Sequence, residues 1–289
     1  MGVEYFRRIP IGAELQQSGG THFRVWATSA ASVGVRIGIN PELTRDVVTA
    51  ELNPEGNNYF SVFVPEARAG LCYKYQIGSK LYPDPAARLQ SGGPHGPSVI
   101  TDPGTYHWQD SEWSGVLAQP HVIYEMHIGT FTPEGTWAAA KQHIPYLKDL
   151  GVDILEIMPI AEFPGRFGWG YDGVCLFAPT ALYGSPDDAK SFIDACHQAG
   201  LAVILDVVYN HVGPDGNYLD SFSPNYFSER YKNEWGKPFN LDGLDAKPVR
   251  EFFLSNAEYW IREFHFDGLR FDAYGFLLLS LYFVVRRRV

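Results

Sequence analysis

The pattern of hydrophobic and polar positions changes near residue 120. Before that point, short runs alternate between apolar and polar residues, at 23–26, 32–37, 59–64 and 73–77. Each run is bounded by Gly, Pro, Asn or Ser, which is typical of short antiparallel strands joined by turns. We therefore predict an immunoglobulin-like β-sandwich over residues 1–100. Pro and Gly recur over residues 101–120, which predicts an irregular linker.

Strands and helices alternate after residue 120. The predicted strands cover residues 122–128, 152–158, 201–208 and 268–272, and the predicted helices cover residues 136–150, 185–200 and 248–264. Ser185, followed by Pro186 and two aspartates, is a signature of a helix N-terminus. Residues 201–208 are almost wholly apolar, as expected of a strand that is buried on both faces.

This alternation predicts an α/β fold in which residues 121–273 form the N-terminal half of a (β/α)8 TIM barrel. The longest connections, residues 159–183 and 209–245, both follow a strand. Barrel enzymes place their active sites on that side. The alternative is a doubly wound sheet, but the turn after the first predicted strand has no glycine-rich dinucleotide motif.

The end of the sequence has a different character. Residues 274–285 are almost wholly apolar, and residues 286–289 read Arg-Arg-Arg-Val. The apolar stretch is too short to span a bilayer, which takes about 20 residues. We expect residues 274–289 to be an altered terminus, such as a frame change or a truncation, rather than an anchor.

Composition narrows the classes of function. The 289 residues carry a formal net charge of −10, so we expect neither nucleic acid nor a membrane surface as a partner, and a neutral substrate fits better. Aromatic residues make up 15% of the chain, and flat aromatic faces serve sugar-binding clefts as stacking platforms. The three cysteines have no metal or disulfide spacing, which favours reduced core thiols. Because no secretory signal opens the sequence, we expect a cytoplasmic enzyme.

Polar side chains end the third and fourth predicted strands. Asp206 and His211 follow the third strand, and Arg270 and Asp272 close the fourth. Alternation places Arg270 and Asp272 on the same face of their strand. An arginine beside a carboxylate keeps it ionised and aims it, as an attacking nucleophile requires. An R-x-D pair is by itself also a common structural ion pair, so the position at the ends of barrel strands carries the hypothesis.

Two motifs at these strand ends resemble a known family. DVVYNH at 206–211 and FDGLRFDA at 266–273 resemble signature regions of the α-amylase superfamily of glycoside hydrolases. Within that superfamily, the flanking sequence is most similar to a subgroup that releases trehalose from malto-oligosyltrehalose. The segments that carry this similarity are residues 23–27, 84–98, 124–137, 163–179 and 210–219. The glycogen branching enzymes share the same plan and are the alternative.

The resemblance implies roles for five residues. Asp272 would be the catalytic nucleophile and Arg270 its positioning partner. Tyr171, Asp206 and His211 would shape the subsite for the sugar that is cleaved, with Tyr171 as a stacking platform. The substrate would be a malto-oligosaccharide or malto-oligosyltrehalose. In many relatives the asparagine that corresponds to Asn210 binds calcium. This subgroup is described without calcium, so the resemblance implies no cofactor or metal.

The resemblance also implies retaining hydrolysis, which needs a second carboxylate as acid and base. That glutamate would end a fifth barrel strand, beyond residue 273, and Glu125, Glu156 and Glu162 are not assigned its role. We therefore expect these 289 residues alone to lack glycosidase activity. A third hypothesis, from another class, is a non-catalytic glucan-binding module built on the sandwich.

Overall fold

The computed structural model describes residues 5–116 and 121–273. These ranges form an antiparallel β unit followed by a parallel β/α unit. The predicted altered terminus, residues 274–289, lies outside the described residues.

The first unit is built from two antiparallel sheets. Its strands are β1 (Gly12–Leu15), β2 (Thr21–Trp26), β3 (Gly34–Gly38), β4 (Val48–Glu51), β5 (Asn53–Gly56), β6 (Tyr59–Val64), β7 (Cys72–Ile77), β8 (Lys80–Tyr82) and β9 (Ser98–Val99). One sheet has the order β1-β2-β6-β5, and the other has the order β4-β3-β7-β8 with β9 paired to β7. Phe23 of one sheet packs edge-on against Tyr73 of the other at 5.1 Å, so the two inner faces form a sandwich core.

The four strands predicted in this unit are confirmed as β2, β3, β6 and β7. The predicted alternation is clearest in β3, where Val35 and Ile37 are buried while Gly34 and Arg36 are only partly buried. The strands that were not predicted are β1, β4, β5, β8 and β9. They have two to four residues each, and such short runs carry too few positions for a period of two to be recognised.

The second unit alternates strands and helices. Its elements are β10 (Ile123–Met126), α1 (Ile128–Phe131), α2 (Trp137–Lys141), α3 (Ile144–Asp149), β11 (Ile154–Ile157), β12 (Ala161–Glu162), β13 (Cys175–Pro179), α4 (Pro186–Gln198), β14 (Ala202–Val207), α5 (Leu219–Phe222), α6 (Ala246–Glu263) and β15 (Gly268–Phe271). The strands β10, β11, β14 and β15 pair in parallel and in chain order.

This strand order separates the two folds considered for this unit. A doubly wound sheet reverses its order at a switch point, whereas the described strands follow one another without reversal. Sequential parallel strands with helical crossovers are the arrangement of successive units in a (β/α)8 barrel. The polar residues that end β14 and β15 therefore meet at one edge of the sheet.

Two helices differ in how well the sequence predicted them. The helix predicted over residues 136–150 is divided into α2 and α3, because Pro145 has no N–H to donate to the preceding turn and begins a new helix instead. The start of α4 is as predicted: the Ser185 side chain accepts from the Asp188 backbone N–H, and the Asp188 carboxylate accepts from Ser185 in return.

The connections predicted as loops contain regular elements. Residues 159–183 include the antiparallel pair β12 and β13, and residues 209–245 include α5. Every residue of β13 is buried, and Phe177 packs against Phe252 and Tyr259 of α6. The loop prediction was therefore wrong for β13, which gains its stability from contacts with α6 that a local pattern does not show.

The cysteines are as expected from their spacing in the sequence. Cys72, Cys175 and Cys196 are free and buried, and burial raises the pKa of each thiol. Over the described residues, no helix combines the length and apolar character that crossing a membrane requires.

The two units pack along an aromatic seam, by which we mean the contact between the sandwich and residues 215–227. Trp26 packs edge-on against Tyr226, and Tyr75 packs against Phe222. The backbone N–H of Ser29 donates to the carbonyl of Phe222 at 3.1 Å. The seam therefore fixes the first part of the long connection between β14 and α6.

A buried network fixes the linker at the opposite end of the parallel strands. His197, at the end of α4, places its two ring nitrogens 2.9 Å from Asp110 and 3.0 Å from Asp267. Asp267, just before β15, accepts from the backbone N–H of Val203 and from the Trp113 indole. Because Asp110 and Trp113 belong to the linker, one histidine joins the linker, α4 and β15.

We expect His197→Ala to lower the free energy of unfolding by about 3 kcal/mol, because it leaves two carboxylates without their shared partner in a buried site. Urea unfolding followed by circular dichroism measures the change. His107→Ala, at an exposed histidine of the same linker, is the control and should change the value by less than about 0.5 kcal/mol. Equal effects of the two substitutions would contradict the network's role.

Candidate active site

The ends of β14 and β15 bring three charged side chains together. Asp206 and Arg270 are paired residues in the parallel register, so their side chains lie on the same face of the sheet. Asp272 follows β15 directly, and its backbone N–H donates to the carbonyl of Val207 at 3.1 Å. The strand pairing thus continues for one residue and fixes the backbone of Asp272.

One arginine nitrogen bridges the two aspartates. Nη1 of Arg270 donates to Oδ2 of Asp206 at 2.7 Å and to Oδ1 of Asp272 at 2.8 Å. Charge-assisted bonds of this kind are short and directional, so they orient both carboxylates. Burial alone would lower the pKa of Arg270, but the two aspartates outweigh it and raise that pKa.

Tyr171 reaches the same carboxylate from the long connection after β11. Its hydroxyl donates to Oδ2 of Asp206 at 3.0 Å. The preceding residue is Gly170, with φ of +96°, and a Cβ there would lie 2.0 Å from the carbonyl oxygen of Pro159. Only glycine fits this close approach, and it allows the loop to deliver the tyrosine to the strand ends.

Asp206 has an unusual electrostatic environment. The residue is only 1% exposed, and burial raises the pKa of its carboxyl to about 6, although Arg270 and Tyr171 act in the opposite direction. Its Oδ2 accepts from both of those residues, whereas its Oδ1 is buried without a hydrogen-bond partner among the described residues. Such an atom is costly in a finished fold and commonly marks a functional site.

His211 is buried behind these residues, and an asparagine links it to them. A ring nitrogen of His211 contacts Oδ1 of Asn210, whose Nδ2 donates to the carbonyl of Asp272 at 3.0 Å. Burial lowers the pKa of His211, while Asp172 and Asp272 partly oppose the change. Asn210 therefore ties the connection after β14 to the backbone of Asp272.

All five residues predicted for the site lie at this edge of the sheet, at the carboxyl ends of β14 and β15. The positioning contacts of Asn210 were not predicted, and neither was Trp235, whose ring centroid lies 6.1 Å from that of His211. Asn233 holds the segment with Trp235 in place by donating to the carbonyl of Asn210 at 3.0 Å. Trp235 and Asn233 thus belong to a segment that forms one wall of the site beside His211. The signal in the sequence that could have identified this wall is a tryptophan within a long polar connection.

Among the described residues, one group of carboxylates could hold a cation, and it consists of Asp206 and two glutamates of the neighbouring strands. Single carboxylate oxygens of Glu125, Glu156 and Asp206 lie within 4.8 Å of one another. Glu125 and Glu156 are paired residues of β10 and β11, so both lie within their strands. Nε of Arg270 lies 3.9 Å from Oε1 of Glu156, so a guanidinium already occupies the position next to this group. These contacts do not point to a resident metal.

Comparison with protein families divides the chain in the same way as its fold. Residues 10–103 match the model described as carbohydrate-binding module 48, the isoamylase N-terminal domain. Residues 105–239 match the model of the alpha amylase catalytic domain.

Curated relatives share the sequence of both units. A malto-oligosyltrehalose trehalohydrolase of Deinococcus radiodurans is 44% identical over 92% of this chain, and one of Saccharolobus solfataricus is 46% identical over 91%. A 1,4-alpha-glucan branching enzyme of Shewanella baltica is 36% identical over 93% of the chain. The chain spans less than half the length of these relatives, namely 42%, 45% and 39%.

Solved structures agree with these relationships. A crystal structure from Salmonella typhimurium matches 95% of this chain with a TM-score of 0.87 and 41% identity, and the match covers 45% of that protein. A pullulanase of Anoxybacillus, solved with maltotetraose, matches 92% of this chain with a TM-score of 0.79 and 26% identity, over 45% of its own length. By fold, family models and relatives together, the chain belongs to the α-amylase superfamily of glycoside hydrolases.

Proposed function

We propose that the protein carrying this chain is a retaining glycosidase of α-1,4-glucans that releases trehalose from malto-oligosyltrehalose. Asp272 is its nucleophile, and Arg270 orients that carboxylate. Tyr171, Asp206 and His211 shape the subsite of the sugar whose bond is cleaved, with the Tyr171 ring as a platform.

The observation that carries this proposal is the bridge from Nη1 of Arg270 to Asp206 and Asp272. A nucleophilic carboxylate must be ionised and must keep its direction while the anomeric carbon approaches. Arg270 orients the Asp272 carboxylate through a charge-assisted bond, and the pairing of Asp272 with Val207 fixes the backbone from which the carboxylate projects. The bridge alone is also compatible with a structural ion pair, so its position at the carboxyl ends of barrel strands supports the catalytic role.

The general acid is proposed to come from outside the described residues. Retaining hydrolysis uses two carboxyl groups about 5 to 5.5 Å apart, one of which protonates the leaving oxygen. Asp206 shares the Nη1 atom of Arg270 with Asp272, and its Oδ2 also accepts from Tyr171. The family resemblance gives Asp206 a role in sugar binding, so the 289 residues assayed alone should bind glucan without cleaving it.

The substrate is proposed from the names of the relatives. Both trehalohydrolases match at 44% and 46% identity, whereas the branching enzyme matches at 36%. The branching enzyme is the second candidate, because its chemistry uses the same nucleophile and differs only in the acceptor, a sugar hydroxyl instead of water. Exposed aromatic rings at this face, Phe167 and Trp169, give either enzyme flat surfaces for a glucan.

We also propose the division of the chain into functional parts. Residues 1–100 are the sandwich module, residues 101–120 are the linker, and residues 121–273 are the first half of the catalytic barrel. The buried contacts of Asp110 and Trp113 with His197 and Asp267 support a linker that is fixed to the barrel rather than free.

We expect the protein that carries this chain to produce free trehalose from malto-oligosyltrehalose, with water as the acceptor. Product analysis by anion-exchange chromatography measures this release. A branched glucan without trehalose would reject this assignment and favour the branching enzyme.

We expect Asp272→Asn to lower kcat by at least ~10³-fold in that protein, because the amide keeps the shape of the carboxylate but is not a nucleophile. Substrate binding, measured by calorimetry, should change little. Asp149→Asn, at an exposed position of α3, is the control and should retain full activity. A fluorinated glycosyl donor should label Asp272, and a label on Asp206 would show that the nucleophile is misassigned.

A further inference from the structure

The strands β10, β11 and β14 carry more negative charge near the site than the proposed reaction requires. We call Glu125, Glu156 and Asp206 the acidic layer. Glu125 and Glu156 face each other across β10 and β11, and the next strand on, β14, carries Asp206 on the same side of the sheet. One oxygen of each lies within 4.8 Å of the others, and Asp206 is buried, Glu156 half-buried and Glu125 exposed. Because solvent screens an exposed charge, Glu156 repels the charge of Asp206 more than Glu125 does.

One cation faces this layer among the described ion pairs, and it is Arg270. Both bonds of its Nη1 atom go to Asp206 and Asp272. The Nε edge of the same guanidinium faces Oε1 of Glu156 at 3.9 Å, which is too long for a hydrogen bond but close enough for attraction between charges. Arg270 is therefore held on two edges, by Glu156 on one side and by the two aspartates on the other.

A second observation concerns Asp206 itself. Its Oδ1 atom is buried without a hydrogen-bond partner in the described residues, while Oδ2 accepts two bonds. A buried carboxylate oxygen without a donor is costly, because nothing replaces the water that it has lost. The charge of Asp206 is therefore sensitive to other charges close to it.

We propose that Glu156 is a positioning residue that sets the charge of Asp206 and the direction of Arg270, and that Glu125 adds to the same negative charge. This inference rests on the proposed function of the site and adds two glutamates to it. Neither glutamate touches the reacting atoms in this arrangement, and Glu156 acts through Arg270 and Asp206.

The electrostatics of Asp206 agree in direction. The pKa of Asp206 is raised to about 6, mainly by burial, and the charges of Asp272 and Glu156 contribute to this rise, whereas Arg270 and Tyr171 oppose it. Removing the charge of Glu156 leaves the ionised form of Asp206 with less repulsion. The pKa of Asp206 should therefore fall in Glu156→Gln, and Asp206 should ionise at a lower pH.

The test is a carboxyl titration of Asp206 by ¹³C NMR, in the protein that carries this chain, labelled with [¹³C]aspartate. The Asp206 signal is assigned as the one that disappears in Asp206→Asn. In Glu156→Gln the midpoint should fall by about one pH unit. Glu125→Gln should move the midpoint in the same direction, which keeps the test valid if one of the two variants folds poorly.

Glu162→Gln is the matched control. Glu162 is a buried glutamate close to the site in sequence, but its carboxylate accepts from Thr180 and from the backbone N–H of Ala181 instead of facing Arg270. This substitution should leave the Asp206 midpoint unchanged. An unchanged midpoint in both layer variants, or an equal shift in Glu162→Gln, would overturn the proposal. So would a midpoint that moves when Mg²⁺ or Ca²⁺ is added, because a cation would then balance the layer.

A kinetic measurement separates positioning from simple stability. The acid limb of kcat/KM should move to lower pH in Glu156→Gln, with kcat at the plateau reduced about 10-fold by the loss of one support of Arg270. Glu156→Asp keeps the charge and should restore the acid limb. If kcat falls while the limb stays in place, Glu156 is only structural. The NMR titration does not depend on the identity of the substrate, so failure of the proposed function would leave its result intact.

Discussion

The structure of the site depends on one bifurcated contact, from Nη1 of Arg270 to Asp206 and Asp272. It joins the ends of two neighbouring parallel strands, where chain direction already gathers functional groups in barrel folds. The contact places one positive charge between two carboxylates, one of which is the proposed nucleophile, and fixes the direction of both. A guanidinium suits this position better than an ammonium, since its planar fork fixes direction as well as charge. Tyr171 and Glu156 then approach the same pair of groups from other elements.

A continuous series of contacts connects this site to the sandwich. The seam fixes Phe222 through the backbone of Ser29, and the hydroxyls of Thr28 and Ser223 lie 2.6 Å apart. Phe227 stacks on Phe239, which brings the later part of the same connection back against the first. Asn233 lies between these two rings in the sequence and donates to the carbonyl of Asn210, and Nδ2 of Asn210 donates in turn to the carbonyl of Asp272. The sandwich thus supports the wall of the site that carries Trp235 and His211.

The sequence predicted what depends on local order, and missed what depends on distant contacts. Alternation identified β2, β3, β6 and β7, and capping residues identified the start of α4, because these signals lie within a few neighbouring residues. It missed β13, whose burial is completed by α6 about 80 residues later. For the site, Arg270 and Asp272 could be identified as a candidate pair because their spacing in a strand places them on the same face. The roles of Asn210 and Glu156 were not, because each depends on a partner from another strand, which only the register of the folded sheet brings close.

The distribution of exposed aromatic side chains bears on two hypotheses for this chain, an enzyme and a non-catalytic glucan-binding module. In the sandwich, Trp26, Tyr73 and Tyr75 are buried in the core and the seam, where their faces are not open to a sugar. The exposed rings Phe167, Trp169 and Trp235 belong instead to the connections that surround Arg270 and Asp272. Two other exposed rings of the described residues, Phe6 and Tyr146, lie apart from this cluster in sequence and fold. Most of the exposed aromatic rings therefore lie on connections that follow the parallel strands. A module that served only as an anchor would present such rings on its own sheets, so the distribution favours sugar binding at the connections of the second unit and a supporting role for the sandwich.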